Sequence, residues 1–100
     1  MPQDVLPDLN LDQPPVTLSP AKAALWLLAK GGYRVGPEWE RAHAFGQANE
    51  GSREHDLVHA VAHLIEGDLR NADYWYARAN DTAESRDPQR ELQRIWTLLD

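Results

Sequence analysis

The sequence predicts an all-α domain of about five helices in antiparallel, repeat-like hairpins, preceded by an extended N-terminal arm. Three observations lead there. Proline recurs as a helix opener in Ser19-Pro20, Gly36-Pro37 and Asp87-Pro88, where its missing N–H costs nothing because first-turn amides have no helical partner. The segments that follow place their apolar residues at the 3.6-residue period of a helix. Finally, Gly67-Asp68 separates two such segments, and so short a break allows little but a helix hairpin.

Residues 1 to 18 carry Pro2, Pro7, Pro14 and Pro15 with Asp4, Asp8 and Asp12 and no basic residue. Proline removes amide donors and biases its predecessor to extended geometry, so this stretch is an arm and not a helix. Val5, Leu6, Leu9 and Leu11 give it apolar teeth. It either frays, packs on its own domain or bridges to a second copy as a homodimer.

The helical domain spans residues 19 to 100. Ser19 as N-cap and Pro20 open the first helix, which runs to Lys30 and stops at Gly31-Gly32. Ala21, Ala24, Leu25 and Leu28 form its stripe and Trp26 and Leu27 widen it, the mark of a core helix. The second helix runs from Pro37 to about Asn49, with Glu38 and Glu40 suited to the positive end of its dipole. Trp39, His43, Gly46 and Gln47 share one face; Arg41, Phe45 and Ala48 share another.

Ser52 is the expected cap of the third helix, Arg53 to Glu66. Leu57, Val61, Leu64 and Ile65 lie on one side, almost opposite His55, His59, His63 and Glu66. Asp68 caps a fourth helix expected to reach Asn80. Ala72, Trp75, Tyr76 and Ala79 form one face of it and Asn71, Tyr74 and Arg78 another. The fifth opens at Asp87-Pro88 and carries Leu92, Ile95, Trp96 and Leu99 at i, i+3, i+4 and i+7.

Composition narrows the function. An apolar fraction of 42% supports a packed core and is unlike a disordered chain. The net charge of −6, with ten scattered basic residues, argues against a nucleic-acid or anionic-membrane partner, because such binding needs clustered Lys and Arg. Cysteine is absent, which removes disulfides and thiolate metal sites and suits a reducing cytoplasm. No run approaches the ~20 apolar residues of a membrane span. The expectation is a soluble cytoplasmic protein.

Two resemblances follow from the motifs. Ala60, Gly67-Asp68, Ala72, Tyr76 and Ala79 fall where a tetratricopeptide-type repeat has its small, turn and aromatic residues, so the third and fourth helices resemble one such repeat. One repeat cannot bury its own faces, and the other helices must complete the stack. The chain also resembles a group of small bacterial proteins marked by AH-x-x-x-Q followed by H-x-x-x-H-x-x-E-G-D-x-x-N-A-x-Y-W-Y. Here these are Ala42-His43 with Gln47, then His59 through Tyr76. The resemblance implies a fold and a shared polar cluster but no activity. Leu64-Ile65 and Ala77 stand where basic residues are common in that group, so a charge-based ligand role is not implied.

The polar constellation bears three readings. As a non-catalytic binding module, the chain would offer a small molecule, peptide or protein a pocket of Trp39, His43, Gln47, His59, His63, Glu66, Asn71, Tyr74 and Arg78, aromatic walls with a few polar groups. As a small metal-dependent hydrolase, it would hold a divalent metal such as zinc on His43, His59 and His63, with Glu66 as base. HAVAH lacks the glutamate of an H-E-x-x-H motif. The third reading is packing, with Trp75 and Tyr76 covering the imidazoles. The binding module is the expectation and the hydrolase the alternative.

Overall fold

A computed structural model describes residues 6–48 and 51–99. Among them the regular structure is entirely α-helical: α1 (Pro20–Lys30), α2 (Pro37–Ala48), α3 (Arg53–Glu66), α4 (Leu69–Arg78) and α5 (Pro88–Leu98). The expected end of the second helix at Asn49, the arm's Val5 and the final Asp100 lie outside the described residues.

The capping chemistry works mostly as the sequence suggests. Ser19, Asp68 and Asp87 each accept a hydrogen bond from a first-turn amide, of Lys22, Asn71 and Gln89 respectively, which satisfies a donor that the helix cannot. Ser52 occupies the N-cap of α3, but its side chain makes no capping bond. Asp56, one turn further on, instead accepts from the Gly51 amide at 3.2 Å. Gly67 ends α3 in the left-handed region at φ 85°. Its freedom from a Cβ lets the Asp68 amide reach back to the His63 carbonyl at 2.9 Å. The fourth helix stops at Arg78, short of the expected Asn80, because Asn80 itself turns left-handed at φ 58°. The Ala79 carbonyl just before it accepts from Arg53 Nε at 3.0 Å.

Helix α3 is the hub. It packs against α1, α2, α4 and α5. The stripes expected on α1, α4 and α5 are buried: Leu25, Trp26, Leu28, Ala72, Tyr76, Leu92, Ile95 and Trp96 all lie in the core. The third helix is covered on both of its sides. Leu57, Val58, Ala60, Val61, Ala62 and Leu64 are buried, and so are His59 and His63 on the opposite side. Four helix neighbours cover the middle of α3, while at its ends His55 is half-buried and Glu66 exposed.

The described part of the arm lies on its own domain. Leu6, Leu9 and Leu18 pack against the core, the Trp26 indole N–H donates to the Pro7 carbonyl at 3.3 Å, and Lys30 Nζ donates to the Leu9 carbonyl at 3.0 Å. These bonds let α1 bury Trp26 completely without orphaning its N–H. Among the described residues, no helix is long and apolar enough to cross a membrane.

Candidate functional site

The site lies where α2 crosses the histidine side of α3. Gly46 makes that crossing close: a Cβ placed there would stand 3.3 Å from the His59 Cβ, a tight contact that glycine avoids. On α2, Trp39 and His43 are one turn apart and stack at 4.7 Å with 8° between their planes. The Trp39 indole N–H donates to the Ala62 carbonyl at 2.8 Å and locks the pair onto α3.

Three imidazoles meet at this crossing. His59 and His63 stack at 4.8 Å, and His43 presents its ring perpendicular to both, at 4.7 and 5.2 Å. His59 also stacks on Trp75 of α4 at 4.0 Å. Each of His43, His59 and His63 offers a nitrogen, and the three donor atoms lie within 4.8 Å of one another. His59 and His63 are 3% and 7% exposed, and their Nδ1 atoms have no hydrogen-bond partner among the described residues. Glu66 stands at the rim, its Oε2 3.4 Å from His63 Nδ1. That is an electrostatic contact without the alignment of a hydrogen bond.

Burial sets the charge state. Desolvation, reinforced by the neighbouring His63 and His43, pushes His59 down to about 4. His43 is lowered for the same first reason and by His63, with Glu66 opposing. At neutral pH these two imidazoles are uncharged, the form in which a ring nitrogen can ligate a metal.

The structure brings Trp39, His43, His59, His63 and Glu66 together, and sets the other sequence candidates further out. Arg78 lies over the Trp75 ring at 5.1 Å and 3.9 Å from the buried carboxylate of Asp56. Tyr74 is half-exposed, accepts from Arg78 Nη1 at 3.3 Å and meets Trp75 edge-on. Asn71 is exposed and donates to Asp68 at the turn. Gln47 is exposed, because the buried face of α2 is centred on Ala42 and Gly46. Asn71 and Tyr74 line a shallow surface cavity of ≈ 400 Å³ with Asp68 and Arg70.

The expectation that Trp75 and Tyr76 together cover the imidazoles holds for Trp75 alone. Tyr76 turns the other way, and its hydroxyl donates to Glu91 of α5 at 2.7 Å. Glu91 is 1% exposed and also accepts from Arg94 Nη2 at 2.9 Å and from the Glu84 amide. Burial pushes this carboxyl up, but bonds from Arg94 and Tyr76 outweigh it and hold the group ionised. Sequence reading missed this network and the buried Asp56. The available signal was Glu91 with Arg94 at i, i+3 on an otherwise apolar face.

Comparison with protein-family models, curated proteins and solved structures finds no match to this chain.

Proposed function

We propose that this chain is a non-catalytic binding protein whose site takes a divalent transition metal on His43, His59 and His63. One observation carries the reading: three imidazoles from two helices converge, each offering a nitrogen within 4.8 Å of the others, and two of the rings are buried. The buried Nδ1 of His59 has no hydrogen-bond partner among the described residues; such an atom costs about 1–3 kcal/mol, and a metal ion bound to it would offset that cost. Three imidazole nitrogens suit zinc, nickel or cobalt better than the hard ions magnesium and calcium. Tetrahedral zinc with bonds of about 2.0–2.1 Å needs donors about 3.4 Å apart, so the rings, whose donors lie within 4.8 Å, would close by no more than ~1.4 Å through side-chain rotation. Glu66 is better suited to support His63 than to act as a hydrolytic base, since it already leans on that ring. The kinship of α3 and α4 to a tetratricopeptide-type hairpin is part of the proposal, supported by the burial of Ala60, Ala72, Tyr76 and Ala79.

A second reading has its own support. His59 stacks on both His63 and Trp75, as expected of rings that serve as packing. Untagged protein purified without chelator and titrated with zinc or nickel separates the two. Binding predicts one ion per chain, a rise in Tm of several degrees at saturation, and loss of both in His63→Ala. Packing predicts no bound ion and a melting temperature that zinc does not move.

A further inference from the structure

The molecule holds a second group of potential ligands next to the first. We propose that His63, Glu66 and Asp68 form an outer cation station through which divalent ions reach and leave the buried imidazoles, an inference that rests on the metal-binding reading above. His63, Glu66 and Asp68 offer donor atoms that also lie within 4.8 Å of one another. His63 therefore belongs to both groups. Its side chain is 9% exposed, and its Nδ1, which has no hydrogen-bond partner among the described residues, stands 3.4 Å from the Glu66 carboxylate. An imidazole carries two nitrogens on different edges, so a single ring can turn one toward the rim and the other inward.

The backbone builds this station. Left-handed Gly67 folds the chain so that the Asp68 amide bonds the His63 carbonyl, which returns the Asp68 side chain to the end of α3. Its carboxylate is held in place by the Asn71 amide at 3.2 Å and the Asn71 side chain at 3.1 Å. Two carboxylates and one imidazole are harder ligands than three imidazoles. They suit an ion that still carries much of its water, whereas the inner set suits a dehydrated one. Passage from rim to interior then exchanges ligands stepwise around His63, and the ion occupies one station at a time.

The test uses the full chain and nickel(II), read by quenching of Trp39 and Trp75, which stack on His43 and His59. Stopped-flow mixing gives the association rate, and release into excess chelator gives the dissociation rate. The variants are Glu66→Gln alone and Glu66→Gln with Asp68→Asn; asparagine also caps helices, so α4 keeps its start. The double variant is expected to slow association and release alike, each by roughly tenfold, with Kd changed far less. Glu84→Gln with Asp87→Asn, which removes the same charge from the α4–α5 connection, is expected to leave both rates within about twofold. An unchanged association rate in the double variant overturns the station. So does a weaker Kd produced by faster release alone, which would make the carboxylates ligands of the inner site. If the unmodified chain shows no nickel-dependent quenching, the metal-binding reading falls and the station with it.

Discussion

Acid should destabilise this fold well before its carboxylates titrate, and His59 is the reason. An unfolded chain binds a proton on His59 with the ordinary pKa of about 6.5, whereas the folded chain binds it only near 4. The folded state therefore favours the neutral ring. Stability from this group is complete above pH 6.5 and is lost as the pH falls toward 4, because over that range the unfolded chain holds more protons. At pH 5 the difference amounts to about 2 kcal/mol relative to pH 7.5. His43, also lowered, adds in the same direction. Asp68, Asp73 and Glu91 are lowered as well, but an unfolded carboxyl begins to protonate only near pH 4 to 5, at about 3.9 for Asp and 4.3 for Glu. The interval from 6.5 to 5 therefore isolates the imidazoles. Urea melts followed by tryptophan fluorescence, run in chelator at pH 7.5 and pH 5, should show a midpoint roughly 1 M lower in acid, given m-values of about 1–3 kcal/mol/M. His59→Gln should start less stable at pH 7.5, having lost its stacking on Trp75 and His63, and should lose much less on acidification. Equal midpoints at the two pH values, or the same pH dependence in the variant, would refute the burial argument.

Two further predictions concern how the site is held. Gly46→Ala should destabilise the protein by about 1 kcal/mol, since a contact of 3.3 Å with a His59 ring already backed by Trp75 costs more than the ~1 kcal/mol that alanine gains over glycine in a helix. A net stabilisation in a urea melt, as at an exposed helical glycine, would show that α2 and α3 are not pressed together there. Deleting residues 1 to 18 should lower the urea midpoint by removing the acceptors of Trp26 and Lys30, while light scattering gives the same mass as the full chain. A changed mass would instead make the arm a bridge between copies.

Local signals were legible along the chain because local physics decides them. A proline whose missing amide costs nothing at Pro20, Pro37 and Pro88, a glycine able to turn left-handed at Gly67, and a carboxylate cap at Asp68 and Asp87 act within four residues. The apolar stripes of α1, α4 and α5 likewise report which side of a helix avoids water, and those residues are buried. Trp39, His43, His59, His63 and Glu66 could be grouped from helical spacing before any fold was known, as one turn separates each neighbouring pair on its own helix.

Spacing within a helix says nothing about what crosses it. That His59 and His63 would be buried depended on α2 lying across His59 at Gly46 and on Trp75 of α4 stacking on the same ring. That Trp75 would stack on His59 while Tyr76, one residue on, turned to Glu91 depended on α5 packing against α3 and α1 within reach of the Tyr76 hydroxyl. Gln47 fell outside the site because α2 is rotated to bury Ala42 and Gly46. The sequence by itself determined where helices begin, where they end and which residues they carry. Only the tertiary structure decided which imidazoles meet and which are sealed from water, since both depend on contacts between residues far apart in the chain.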